Sequence, residues 1–253
     1  MVETAAPVKG TQPLGTQTEA EASRRVREMF TQIAPKYDLL NHLLSLQLDR
    51  VWRARASKLL SPILKRPDAL VLDLCCGTGD LALALARVGP ARVMGADFAH
   101  PMLLQAMAKS AAKIPFLEAD ALRLPFADSS FDLLTAAFGF RNLANYEEGL
   151  REMMRVLKPG ATLGILEFTE PPEGLLGNLY RWYFRGVLPR IGGILSGDRD
   201  AYTYLPRSVA RFFRPTQLKT LMESVGYTAV QYRVWTMGTV AFHTAQRSIR
   251  NET

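Results

Sequence analysis

Four aspartates stand where the pattern of the chain changes: Asp73, Asp80, Asp97 and Asp120. The first two bracket the glycine loop of "VLDLCCGTGD", residues 71–80, in which Gly77, Thr78 and Gly79 follow an apolar run. Glycine lets the main chain approach a ligand with no side chain between them. The charge of this loop argues against phosphate, which carboxylates repel. A P-loop would end in Gly-Lys-Ser/Thr, and the dinucleotide fingerprint would carry a third glycine where Leu81 or Ala82 stands. The plain alternative for Gly77 and Gly79 is a tight turn from strand to helix.

Carboxylates welcome an ammonium or a sulfonium. A nucleoside bearing those groups, S-adenosylmethionine, fits the pattern of Asp73 and Asp80 around bare backbone. Asp97 follows about twenty residues later and closes "VMGAD", where an acid accepts hydrogen bonds from ribose hydroxyls. Its alternative role is to cap the helix that begins near Pro101. Asp120, in "LEADAL", could take an adenine amino group, with the backbone of Ala121 as a donor; an Asx turn is the simpler reading.

The elements that must position these residues alternate. "ALVLDL", "ARVMGAD", "IPFLEAD", "FDLLTAAF" and "ATLGILEF" read as strands, and "LALALARV", "PMLLQAMAKSAAK" and "NYEEGLREMMRVL" as the helices between them. This is the signature of βαβ units, a parallel sheet with helices on both faces. "RPTQLKTLMESVG" predicts a late helix, and "YTAVQYRVWT" and "GTVAFHTAQR" two strands meeting at a turn near Met237 and Gly238. Residues 23–60 read as a helical cap, interrupted at Pro35. Residues 1–22 are expected to be a disordered tail, because they are rich in Thr, Gln, Pro and Gly; they also lack the apolar core of a signal peptide. A single domain over 23–247 follows, with a short tail at 248–253.

Composition sets the bounds. The 253 residues are 48% hydrophobic and carry a formal charge of +7, which suggests an anionic partner such as a membrane surface or nucleic acid. The basic residues are spread along the chain and match no nucleic-acid motif, so no nucleic-acid partner is expected. Cys75 and Cys76 are adjacent, a poor geometry for a disulfide or a metal, and read as reduced thiols of a cytoplasmic protein. His42, His100 and His243 lack metal-ligand spacing, and no metal is expected. No stretch of eighteen apolar residues occurs, so no bilayer-spanning helix is expected.

"DLCCGTGD" resembles the glycine motif of class I S-adenosylmethionine-dependent methyltransferases. "YDLLNHLLSLQLDRVW" (37–52), "FGFRN" (138–142), "RVLKPGATLGILEFT" (155–169), "SGDRDAYTYLP" and "GTVAFHTA" resemble, more narrowly, the ubiquinone/menaquinone biosynthesis C-methyltransferases. The likeness runs from about Val26 to Gln246. The chain departs from the family pattern at Leu40 (usually Met), Asp49 (usually His), Ala161 and Thr169. The resemblance implies an α/β, Rossmann-like class I methyltransferase fold, with a seven-stranded, mostly parallel sheet and an N-terminal helical cap. It implies cofactor contacts at Thr78, Asp97, Asp120 and Ala121, and Gly77 and Gly79 at the methionine end.

The implied reaction carries a methyl group from S-adenosylmethionine to a ring carbon of a polyprenyl quinol, demethylmenaquinol to menaquinol, or of the benzoquinol of ubiquinone biosynthesis. Another small lipid-like or phenolic acceptor is the alternative. Ionising a quinol hydroxyl makes the neighbouring carbon nucleophilic. A phenol titrates near ~10, and a nearby cation lowers that by about 1–3. Arg141 is the candidate for stabilising the phenolate, with Asn142 orienting a hydroxyl or a water; the alternative for Arg141 is an ion pair with Asp132 or Glu167. Tyr37, Asp38 and Asn41 are candidates for closing over the site, or for helix capping and packing. Residues 174–206 read as a lid or membrane-facing insertion. Its aromatics and Arg181, Arg185 and Arg190 suit contact with the prenyl chain or an anionic membrane, at the inner face of the cell membrane. A lid or homodimer helix is the competing reading.

Overall fold

The structure is a computed structural model that describes residues 9–38, 45, 47–170 and 199–249. Asn41, Leu40, residues 174–198 and the three arginines among them lie outside the described residues.

Seven strands form one sheet: β1 (Leu70–Leu74), β2 (Arg92–Asp97), β3 (Phe116–Glu118), β4 (Phe131–Ala137), β5 (Leu157–Phe168), β6 (Tyr227–Trp235) and β7 (Val240–Arg247). Their order is β3-β2-β1-β4-β5-β7-β6. The first five are parallel, and β7 runs antiparallel between β5 and β6. The order reverses between β1 and β4, and this switch point is where open α/β sheets bind ligands, outside the carboxyl ends of the strands.

The described helices are α1 (Glu19–Ile33), α2 (Leu48–Leu59), α3 (Ser61–Leu64), α4 (Asp80–Ala86), α5 (His100–Ser110), α6 (Tyr146–Val156), α7 (Arg199–Arg211) and α8 (Pro215–Val225). Strand alternation sorts the core into two layers. Leu72, Leu134 and Ile165 face α6 and α8, packing on Leu150, Met153, Leu218 and Met222. Val71, Leu133 and Leu166 face the other way, onto Trp52 and Ala56 of α2 and Leu81 and Leu85 of α4. Because both faces are buried, the strands read as continuous apolar runs.

Two boundaries differ from expectation. Helix α1 starts at Glu19, not 23, because Thr18 caps it: the Thr18 hydroxyl accepts the Glu21 amide at 3.2 Å, and the Glu21 carboxylate accepts the Thr18 amide. The segment before it is tied down as well. Thr11 donates its amide to Leu143 O, and Tyr146 donates its own to Lys9 O, each at 2.7 Å. A side chain at Gly10 would run into the Ala144 carbonyl. Residues 9–22, expected in a disordered tail, are thus held by the domain. The second difference is α7: residues 199–206, expected in an irregular insertion, open a helix that continues through Pro206 to Arg211.

Candidate active site

The carboxyl ends of β1, β2 and β4 and the segment after β3 open onto one crevice, roofed by α1. Its wall includes Gly77, Asp97, Asp120, Ala121, Phe138 and Asn142 from the sheet side. Ser23, Phe30 and Tyr37 close it from the N-terminal cap. Phe98 and Met102 complete an apolar side, and no Lys or Arg lines it among the described residues.

Gly77 has φ +53°, a conformation that favours glycine, and among the described residues a Cβ there would find only the Tyr37 ring at 3.8 Å. Its backbone is thus open to the crevice. Gly79 (φ +81°) does something else: a Cβ would come within 3.1 Å of the Phe116 ring and 3.0 Å of Ala106. It is the tight strand-to-helix turn, closing α4 onto β3 and α5.

Asp97 does not cap α5, whose N-cap is Ala99. Its Oδ2 accepts the Gly77 amide at 2.8 Å and its Oδ1 the Ala99 amide at 2.9 Å, so it fixes the loop to the helix entry. Each carboxylate oxygen can accept more than one hydrogen bond, so capacity remains for a ligand hydroxyl. Burial raises its pKa above the usual carboxylate value, against those amide bonds. Asp120 takes the Leu122 amide at 2.9 Å, the Asx-turn geometry, and still lines the crevice beside Ala121.

Three expected residues turn elsewhere. Asp73 is fully buried; its Oδ1 accepts the Thr135 hydroxyl at 2.9 Å and its Oδ2 has no hydrogen-bond partner among the described residues, and burial pushes its pKa up to about 7. It does not line the crevice. Asp80 is held by Lys109 at 2.8 Å and lies 3.6 Å from Arg53. The Thr78 hydroxyl is spent on Asp38 at 2.5 Å and Lys109 at 2.8 Å. The acids that give the crevice its sign are therefore Asp97 and Asp120, not the pair flanking the glycines. Lys109, on α5, was not foreseen: it clamps Asp38 (2.5 Å), Thr78 and Asp80 together, joining the cap to the glycine loop. Its partners are 29 to 71 residues away, so spacing gives no signal.

Arg141 is in an ion pair, and of the two candidate partners it is Glu167. Their Nη1 and Oε2 are 3.0 Å apart, both side chains are buried, and the guanidinium lies 5.5 Å from the Phe168 ring centre. Glu167 also accepts the Arg141 and Phe168 amides, and Arg141 donates to Phe138 O. Asp132, the other candidate partner, instead bonds Lys158, Arg66 and the Leu70 amide. Arg141 Nε is buried with no hydrogen-bond partner among the described residues. Asn142 reaches the crevice wall, and Tyr204 of α7 donates to its Oδ1 at 3.0 Å. Asp49, the departure from the family's His, accepts Ser45 Oγ at 2.6 Å and pairs with Arg53 one turn along α2.

The sequence profile of the ubiE/COQ5 methyltransferase family matches residues 17–247. The chain belongs to that family. A demethylmenaquinone methyltransferase of Thermus thermophilus is 51% identical over 223 residues, covering 87% of this chain and 100% of that protein. One of Deinococcus radiodurans is 48% identical, covering 89% and 93%. Among solved structures, a SAM-dependent methyltransferase of Thermotoga maritima superposes with a TM-score of 0.63 at 19% identity, over 87% of this chain and 99% of that one. The cyclase SpnF superposes at 0.60 and 18% identity, over 96% and 100%. Likeness at that level shows the Rossmann-like fold alone, since one fold hosts several chemistries. Family membership makes this chain a methyltransferase that uses S-adenosyl-L-methionine. The crevice fits that group: two carboxylates, an open glycine backbone and apolar walls, with no cation to repel a sulfonium. Among the described residues no helix is long and apolar enough to cross a membrane, and no three of His, Cys, Asp and Glu are grouped to hold a metal.

Proposed function

We propose that this enzyme methylates a ring carbon of a polyprenyl quinol, converting demethylmenaquinol to menaquinol. The observation that carries this reading is the 51% identity to a demethylmenaquinone methyltransferase along the whole of that protein. When bound, S-adenosylmethionine supplies an electrophilic sulfonium methyl group. The chain's own residues do the rest. Asp97 holds the ribose hydroxyls, Asp120 and the Ala121 backbone hold adenine, and Gly77 lets the methionine end lie against the main chain. Phe30, Phe98, Met102 and Phe138 keep water from the transfer path, so alignment supplies much of the rate.

Asn142 orients the acceptor hydroxyl at the wall. Arg141 directly precedes Asn142 of the wall, and its Nε, unpartnered among the described residues, supports the phenolate-stabilising role, with Glu167 and Phe138 O fixing the guanidinium. Tyr37 packs at the roof, where Asp38 and Lys109 latch the cap shut. The prenyl chain is drawn from an anionic membrane surface at the cytoplasmic face, which the +7 charge favours.

The test gives the enzyme methyl-labelled S-adenosylmethionine with prenylated demethylmenaquinol, a prenylated benzoquinol and a soluble phenol. The label is located by mass spectrometry. The expected product is carbon-methylated naphthoquinol, formed well above the soluble phenol. Equal turnover of the phenol removes the lipid acceptor, and label on oxygen removes the carbon chemistry.

A further inference from the structure

The N-terminal segment and α7 meet at a hydrogen-bonded chain that ends in the crevice wall. Thr11 Oγ1 lies 2.8 Å from Tyr204 Oη, which lies 3.0 Å from Asn142 Oδ1. The chain has a direction. A tyrosine hydroxyl has one proton, and here it is given to the Asn142 carbonyl oxygen. Thr11 must then donate to Tyr204. With Oδ1 turned to Tyr204, the amide NH2 of Asn142, a pure donor, points away from that hydroxyl.

We infer that Tyr204, backed by Thr11, is a positioning residue that fixes the Asn142 amide with its NH2 toward the acceptor oxygen. This rests on the quinol reading above and names what orients that site. A phenolate oxygen only accepts hydrogen bonds, so a fixed donor matches the ionised acceptor, whereas a flipped amide would present a lone pair to it. A free amide could turn over at little cost; the Tyr204 proton removes that choice.

Three features hold the chain in place. Thr11 is buried and its amide is bonded to Leu143 O, one residue from Asn142. Tyr146 donates its hydroxyl to Arg141 O at 2.9 Å, pinning the residue before Asn142. Burial raises the Tyr204 pKa, so the hydroxyl keeps its proton. The chain also explains why residues 9–11 are anchored in a stretch whose composition suggests disorder.

The test is a double-mutant cycle on methyl transfer with saturating S-adenosylmethionine. N142A is expected to lower kcat about 10- to 100-fold, the range for losing one hydrogen bond to a charged group. Y204F should lower kcat about 5- to 10-fold, for one net hydrogen bond, with cofactor affinity by calorimetry unchanged. The double variant should be no slower than N142A within about twofold, because Tyr204 acts only through Asn142. T11V, expected to show a smaller loss in the same direction, carries the test if Y204F does not fold. Wild-type kcat in both Y204F and T11V, or losses that multiply in the double variant, overturns the inference while leaving the quinol reading intact. Wild-type kcat in N142A overturns the role of Asn142 itself.

Discussion

Asp73 shows how far a residue's type can mislead about its role. An acid before a glycine loop reads as a ligand group, yet its carboxylate is buried against Thr135 with one oxygen unpartnered. Only the pairing of β1 with β4, Asp73 opposite Thr135, reveals this, and it joins residues far apart in the chain. That Asp97 and Asp120 would line the crevice was legible, because one ends β2 and the other lies just past β3. Arg141 was legible as a choice between two partners, which the Glu167 contact decides. The buried acid has a consequence for stability. Folding raises the Asp73 pKa from an ordinary 3.8 to about 7, so the folded state binds this proton more tightly. Stability from this group is full below about pH 4 and is lost as the pH rises through about 7. The span is worth on the order of 4 kcal/mol. In urea unfolding at pH 5 and pH 7.5, the wild type should lose stability relative to D73N as the pH rises. Parallel curves for the two proteins would contradict the buried, partly unsatisfied carboxylate.

At the scale of elements, most of the fold could be read in advance. Five parallel strands, their helices and the last two strands fall where periodicity puts them, because strands buried on both faces are continuous apolar runs. The start of α1 and the helix α7 were missed. A tail rich in Thr, Gln and Pro looks disordered until its partners, Leu143, Ala144 and Tyr204, are placed beside it. The capping box at Thr18 stands in the sequence as Thr-x-x-Glu, a start signal that the composition of the stretch obscures. Since α1 supplies Ser23 and Phe30 to the crevice roof, its start matters for binding. T18A should cost about 1 kcal/mol of stability, the usual worth of an N-cap. It should also weaken S-adenosylmethionine binding a few-fold. Unchanged thermal stability would mean that the helix does not begin at this cap.

For the whole molecule, the sheet order β3-β2-β1-β4-β5-β7-β6 sets the chemistry by bringing three strand ends, the segment after β3 and a helical roof to one crevice. The sign of that crevice was anticipated, although the acids responsible are Asp97 and Asp120 in place of Asp73 and Asp80. Family membership over residues 17–247 agrees with the methyl donor this charge selects. The measurement closest to this claim is calorimetric titration of the wild type and D97A with S-adenosylmethionine. Saturable binding by the wild type, weakened at least about tenfold in a folded D97A that has lost its charge-assisted hydrogen bonds to the ribose, is the predicted result. Equal affinity for the two proteins, or no heat with the wild type, would contradict it.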